Sequence, residues 1–289
     1  MGKAPGCPAL DLAYPPGPDV GALHDRLYAA LDEFEPAAIC EHETGDGWRV
    51  FFRTRARRDE AAAELARLCG TDLLSVTGIE VPDEGWAHRS QAGLGAVRVG
   101  RLVVAPPWDE SAHAPAVAGD IVILIQPSMG FGTGHHETTR LCLALLQARN
   151  LAGRRVIDVG TGSGVLAIAA ARLNAASVVG IDRDPDALAS ALENVVRNGV
   201  ASAVTLRLTD VSESTEEPAG VVVANLTAAA IERHAEVLAA LVEREGDLIL
   251  SGFAPDDLCR IELSVGARAA ECRQDGDWIA ARFTLPTES

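Results

Sequence analysis

The sequence predicts an α/β protein of two domains: a small α+β unit over residues 1–82, a junction over 83–118, and a larger unit with a mostly parallel sheet over 119–289. Three observations lead there. The first six elements read strand, helix, strand, strand, helix, strand. From residue 120 strands alternate with helices, and one apolar strand runs straight into a glycine-rich turn and a helix. The chain closes on two strand-like runs, about 265–273 and 277–285, that read as an antiparallel hairpin. The length of 289 residues agrees with roughly 150 residues per domain. A hydrophobic content of 48% excludes a largely disordered chain, and 4% aromatics means cores built mainly from Ala, Val, Leu and Ile.

In the first domain, residues 9–14 alternate like a strand, and Pro15, Pro16, Gly17 and Pro18 end it. Val20, Leu23, Leu27, Leu31 and Phe34 recur at helical spacing over 19–34. Runs 37–43 and 47–53 flank a turn at residues 44–46 and read as a hairpin. A second helix covers 57–69 with Ala61, Leu65 and Leu68 inward, and a strand at 73–81 stops at Pro82. This order is the split βαβ, ferredoxin-like pattern, which occurs on binding domains of many kinds. His24 and His42 read as surface histidines. The junction is rich in Gly, Pro and small residues, with one short strand over 98–104.

In the second domain, Val156-Ile157-Asp158-Val159 leads into Gly160, Gly162 and Gly164, and a helix follows from Val165 to Leu173. Glycines there permit a tight turn and close approach of a ligand, and amides at the helix start are expected to face it. The next strand, 177–181, ends at Asp182, about 20 residues on, where an acidic side chain accepts ribose hydroxyls. A nucleoside cofactor is implied. Asp158 opening the loop suits a cationic sulfonium amino acid and would repel a pyrophosphate, which favours S-adenosylmethionine over NAD. Asp210, after strand 203–208, reads either as a contact to the adenine amine or as a loop acid. Strand 221–225 ends at Asn225, a polar amide at the carboxyl end of a buried strand, where open α/β sheets bind ligands. Helix 228–243 and strand 247–252 precede the closing hairpin, which separates this Rossmann-like sheet from a plain dinucleotide fold.

Charge narrows the partners. The 25 basic and 41 acidic residues give a net charge of −16. Such a surface repels phosphate backbones and favours a cationic partner or plain solubility. No apolar run approaches the roughly 20 residues that span a bilayer, and the first eight residues lack a secretory apolar core. Six scattered cysteines without a CxxC give no zinc or redox motif; reduced thiols in a cytoplasmic protein are expected. His135, His136 and Glu137 are adjacent, but neighbouring histidines rarely face one point, so no metal is expected.

Gly130 to Thr139, reading GFGTGHHETT, resembles the Phe-Gly-Thr-Gly-Thr-His-Pro-Thr-Thr signature of the bacterial ribosomal protein methyltransferase family PrmA. Val156 to Gly164, Gly180-Ile181-Asp182, Val222 to Leu226 and Leu248 to Phe253 are similar to other segments of that family. The resemblance is dense over 98–253. It implies a class I methyltransferase domain preceded by a substrate-recognition domain. It implies transfer of methyl groups from S-adenosylmethionine to lysine side chains and the N-terminal amine of large-subunit protein 11, a basic protein partner. Gly160, Gly162 and Gly164 form the loop, and Thr139, Gly160, Asp182 and Asn225 would contact the cofactor. Phe131 and Thr133 would border the transfer site.

Four positions depart from the signature: His135 for Thr, Glu137 for Pro, Thr161 for Cys, and Thr227 for a small apolar residue. Methyl transfer requires a neutral amine. The Asn225 amide is expected to orient it, with the proton leaving through water or His136. Three other readings stay open. The acceptor is a lysine of another protein, such as an electron-transfer flavoprotein. The enzyme is a nucleic-acid amino methylase, although Asn225-Leu226-Thr227-Ala228 holds no proline and no aromatic to stack a flipped base. Or the fold binds cofactor without catalysing.

Overall fold

The computed structural model describes residues 7–15, 20–32, 34, 36, 38–42, 46–52, 54–69, 75–81, 95–109, 119–126 and 135–285. The chain divides into two compact units, Met1–Gly93 and Leu94–Ser289.

The first unit contains β1 (Cys7–Ala13), α1 (Val20–Asp32), β2 (Ala38–Glu41), β3 (Gly47–Phe51), α2 (Arg55–Cys69) and β4 (Ser75–Val81). Its antiparallel sheet has the order β2-β3-β1-β4, the split βαβ arrangement that the element order predicts. Alternation divides the strand residues between two faces. Leu10, Leu12, Trp48 and Val50 pack with Leu23, Leu27 and Leu31 of α1 and Ala61 and Leu65 of α2. Asp11 and Arg49, cross-strand partners with the opposite parity, form an ion pair at 2.8 Å. The two histidines are not plain surface residues. His24 shares a 2.8 Å hydrogen bond with the buried Tyr14 hydroxyl and packs 4.5 Å from the Trp48 ring, and His42 lies 3.2 Å from Asp11.

The second unit opens with a three-stranded sheet, β5 (Val97–Val99), β6 (Leu102–Ala105) and β7 (Ile121–Leu124). The single strand expected over 98–104 is therefore a hairpin. Gly100 turns it with φ +57°, and Gln147 ties the turn by donating to Val99 O and accepting from Arg101 N. Leu102, Val104 and Ile123 join the core of this unit, so the stretch 97–105 belongs with the large domain rather than with a free junction.

The remaining elements are α3 (Glu137–Gln147), β8 (Arg155–Val159), α4 (Val165–Arg172), β9 (Ser177–Asp182), α5 (Pro185–Arg197), β10 (Val204–Leu208), β11 (Ala219–Asn225), α6 (Ala228–Ala240), β12 (Val242–Phe253), α7 (Leu258–Val265), β13 (Ala269–Asp275) and β14 (Trp278–Thr284). The sheet runs β10-β9-β8-β11-β12-β14-β13. The first five strands are parallel and β14 is antiparallel to both neighbours. Strand order reverses between β8 and β11, the switch point at whose carboxyl end such sheets bind ligands. The central strands carry continuous apolar runs, Val221 to Ala224 in β11 and Leu248 to Leu250 in β12, because both faces are covered. Val221, Val223 and Ile249 face α3 and α4, while Val222, Ala224, Leu248 and Leu250 face α6 and α7.

Two sequence expectations change. Strand β12 starts at Val242 rather than 247, pairing there with Ala219, and Glu245 absorbs an irregularity with φ +60°. Residues 258–265 form helix α7, which the hairpin reading overlooked, so β13 begins only at Ala269. Ile261 and Val265 bury one side of α7, and Gly266 ends it in the left-handed conformation. No helix of the described residues is long and apolar enough to cross a membrane.

Gly252 locks β12 to the segment after β11. Its φ is +102°, and a Cβ there would lie 2.0 Å from Leu226 O and 2.7 Å from Leu226 C. Both are backbone atoms, so no rotamer change relieves the clash. Gly252→Ala is expected to cost at least about 3 kcal/mol by urea denaturation. Gly276→Ala, also at positive φ but with nothing within 4 Å, should cost only about 1–2 kcal/mol.

Candidate active site

At the switch point, β8 hands over to the turn 160–164. Gly160, Gly162 and Gly164 have φ of +71°, +52° and +82°, which only glycine adopts without strain. The amides of this turn do not behave as expected from the sequence. Gly160 N and Thr161 N both donate to Ile181 O, at 2.8 and 2.9 Å, and Gly164 N donates to Thr161 O at 2.8 Å. Gly162 N donates to Asp182 Oδ2 at 2.9 Å. Four amides of the turn are thus occupied within the protein. The turn itself therefore offers few donors to a pyrophosphate, in line with the charge argument.

Asp182 ends β9 half-buried. Its Oδ2 takes the Gly162 amide and its Oδ1 takes the Asp184 amide at 3.0 Å. Two backbone donors fix the carboxylate, and each oxygen keeps acceptor capacity for a hydroxyl. The Gly160 position is close-fitting too: a Cβ there would lie 2.6 Å from Leu226 Cδ2. A fixed, accessible carboxylate beside a turn that admits no side chain fits a nucleoside ribose.

Asp158 is placed differently from expectation. It is fully buried rather than presented at the mouth of the turn. Its Oδ2 accepts from Thr161 Oγ1 at 2.7 Å and from Ala167 N at 3.0 Å, so it ties turn to helix from within. Its Oδ1 is buried without a hydrogen-bond partner among the described residues. Burial pushes its pKa from 3.8 to about 7, against the opposing pull of the Thr161 and Ala167 hydrogen bonds, with Asp182 adding to the rise.

Asn225 closes β11 beside the turn. Its Nδ2 donates to Thr139 Oγ1 at 3.3 Å, and Leu226 N donates to Ser251 O at 2.9 Å. Thr139 is buried on the first turn of α3. The structure thus brings Thr139 and Asn225 together, one strand away from Asp158 and the glycines. Asp210 lies at the end of the β10 side, where its Oδ1 accepts from Ser212 N and Oγ at 2.8 and 2.6 Å. Those bonds, with His234 and Arg183 nearby, hold its carboxyl below the ordinary range. Asp210 is a loop cap in this geometry, with Oδ2 outside those two bonds. Phe131 and Thr133 lie outside the described residues.

His136 is the N-cap of α3. Its Nδ1 accepts from Thr138 N at 3.3 Å and lies 2.8 Å from Thr138 Oγ1. The ring meets Trp278 of β14 edge-on at 5.1 Å. Burial, opposed by Glu137 and assisted by Arg140, holds its pKa below 6.5. The two departures at the start of α3, His135 and Glu137, have structural partners. The His135 ring bonds Gly95 O at 2.8 Å. Glu137, at the first helical position where Pro is also favoured, bonds Arg140 at 3.1 Å. Arg140 in turn reaches Asp275 Oδ2 at 2.7 Å and the His135 carbonyl.

Sequence reasoning missed Asn194, which is fully buried on α5. It accepts from Gln126 N at 2.8 Å and donates to Ser163 O at 3.0 Å, joining the turn to the end of β7. The available signal was an amide on the helix face shared with Ala191, Val195 and Asn198. Arg140, Ser251 and Gly252 were missed because their work is done across the fold.

Fold and site together define a class I, S-adenosylmethionine-dependent methyltransferase. The family model "Ribosomal protein L11 methyltransferase (PrmA)" matches residues 28–285. A ribosomal protein L11 methyltransferase of Pelotomaculum thermopropionicum is 42% identical over 270 residues, covering 89% of this chain and 86% of its relative. That of Deinococcus radiodurans is 35% identical over 272 residues, covering 91% and 94%. The crystal structure of a ribosomal protein L11 methylase from Lactobacillus delbrueckii subsp. bulgaricus superposes with a TM-score of 0.62 at 26% identity, covering 67% of this chain and all (100%) of that one. The chain belongs to the ribosomal protein L11 methyltransferase (PrmA) family.

The Asp158 carboxyl makes stability depend on pH. A folded-state pKa raised from 3.8 to about 7 gives stability that is full below pH 3.8 and is lost as pH rises through 7. Between pH 5 and 8 the loss from this group is roughly 2–3 kcal/mol. Asp158→Asn keeps an acceptor oxygen and removes the titration. The unfolding free energy of the Asn variant should therefore gain on the wild type by that amount over this range in urea titrations.

Proposed function

We propose that this protein transfers methyl groups from S-adenosylmethionine to amines of ribosomal protein L11, at lysine side chains and the N-terminus. The observation that carries the reading is Asp182: a carboxylate fixed by two backbone amides, beside a glycine turn whose own donors are occupied. This arrangement takes a nucleoside without a pyrophosphate. Bound there, S-adenosylmethionine supplies a methyl group on a positively charged sulfur, open to displacement by a nucleophile. Asp182 holds the ribose hydroxyls, with Gly160, Gly162 and Gly164 admitting the nucleoside against the backbone and Asp158 bracing the turn from beneath. Thr139 and Asn225 form the opposite wall, and Asp210 borders the base.

The protein's part in the chemistry is alignment and desolvation. A lysine amine with a pKa of about 10.4 in water is charged at neutral pH and has no free lone pair. Burial against the wall formed by β11 and α3 favours its neutral form. The Asn225 side chain, held from behind by Thr139, offers its carbonyl oxygen to an amine N–H and so orients the lone pair. Orientation of this kind contributes several kcal/mol to the barrier. By resemblance to the family signature, Phe131 and Thr133 would border the transfer site, and the proton passes to water.

In this reading the first unit is the recognition domain, and the second, which takes in the strands from Val97 onward, is the catalytic domain. A protein of net charge −16 attracts a cationic acceptor and repels free nucleic acid, in the cytoplasm where ribosomal proteins are made. No membrane enters the reading.

The test is transfer of label from S-adenosylmethionine into unmethylated L11, with mass mapping of the product. Label on lysine or the N-terminal amine is expected. Asp182→Ala should weaken cofactor binding at least about tenfold by calorimetry, and Asn225→Ala should lower kcat about a hundredfold. Raising salt from 50 to 300 mM should slow association with L11 without changing cofactor affinity. No label from wild-type protein that binds the cofactor would mean a different acceptor or a binding-only protein.

A further inference from the structure

His136 stands at the start of the helix that carries Thr139, and Thr139 in turn bonds Asn225. The placement of its nitrogens decides what it can do. Nδ1 accepts the Thr138 backbone N–H, so in the capping state it carries no hydrogen, and the ring hydrogen sits on Nε2. Nε2 lies 4.0 Å from Glu137 Oε2. The nitrogen that could accept a proton from an amine is thus turned into the first turn of α3. The other already holds one.

We propose that His136 is a positioning residue: its neutral ring caps α3 and thereby holds Thr139 and Asn225 in register for methyl transfer, and it does not carry the amine's proton. The inference rests on the methyl-transfer reading. Burial and Arg140 favour the neutral capping form, and Glu137 opposes them. Trp278 of β14 packs edge-on against one side of it, at 5.1 Å between ring centres. Arg140 adds positive charge from α3 and is itself anchored to Asp275 of β13. Glu137 is the one group on the other side of the balance, and its carboxylate is drawn to Arg140 at 3.1 Å. On protonation the Thr138 hydroxyl can reverse and accept from Nδ1–H, but the Thr138 backbone N–H cannot. The cap is then lost, and α3 loosens at Thr139. Burial holds the ring's pKa below 6.5, which keeps the cap intact at neutral pH and releases it in acid.

Two substitutions separate capping from proton transfer. Asn is a strong N-cap that does not titrate, and Ala is neither cap nor base. Transfer to L11 is measured from pH 5.5 to 8.5 for wild type, His136→Asn and His136→Ala, with cofactor affinity and melting temperature alongside. At pH 8, His136→Asn should keep kcat within about threefold of wild type, while His136→Ala loses about tenfold. The ratio of kcat in His136→Asn to wild type cancels titration of the amine, and it should rise as pH falls below 6.5. Equal losses in both variants, or a ratio flat in pH, would overturn the proposal and make His136 a proton carrier or a bystander. Melting decides independently of activity: His136→Ala should melt about 2–4 °C below His136→Asn at pH 8. If wild type binds cofactor but does not methylate L11, the methyl-transfer reading fails, whereas equal melting of the two variants refutes the cap.

Discussion

The junction of the glycine turn with the end of β9 is the contact on which the site depends. Ile181 gives one carbonyl to two successive amides, and Asp182 gives its carboxylate to a third. A turn with three left-handed residues has little reason to hold one shape by itself. Here its shape is dictated by the neighbouring strand, in the interior of a sheet covered on both faces. The same carboxylate that fixes the turn is the one proposed to hold the ribose. Cofactor recognition and loop conformation therefore share a residue, and neither can be altered alone.

The opposite wall is built by longer reach. Asn225 is positioned by Thr139 from α3, Leu226 by Ser251, and the close approach at Gly252 admits no side chain. Around the start of α3, His135 reaches Gly95 and Arg140 reaches Asp275. The two residues that depart most from the family signature therefore add tethers at the segment's edges. Substitution near a reacting centre is tolerable when the new side chains point to the frame and leave the wall itself unchanged.

Much of this was legible in the sequence because local rules and global fold agreed. The period-two pattern of β1 and β3, the helical spacing of Leu23, Leu27 and Leu31, and the doubly apolar run of β11 all survive into the fold. So do the positions of Gly160, Gly162, Gly164 and Asp182 at strand ends. What failed was whatever depends on partners remote in sequence. Nothing local says that the loop's amides are already bonded to Ile181, that Asp158 turns inward to Ala167, or that Gln147 converts one strand into a hairpin. Helix α7 was missed because an amphipathic stretch of eight residues beside a hairpin carries little periodic signal, although Gly266 marked its end.

The occupied amides of the glycine turn also bear on descent. Sheets of this kind are often regarded as interchangeable frames, so that moving one glycine would turn a methyl-donor site into a hydride-donor site. In this chain such a step would first have to strip three amides from β9, taking both turn donors from the Ile181 carbonyl and leaving the Asp182 carboxylate with only the Asp184 amide. Each bond lost there costs stability before any new contact replaces it. The turn is a barrier between lineages as much as a binding element.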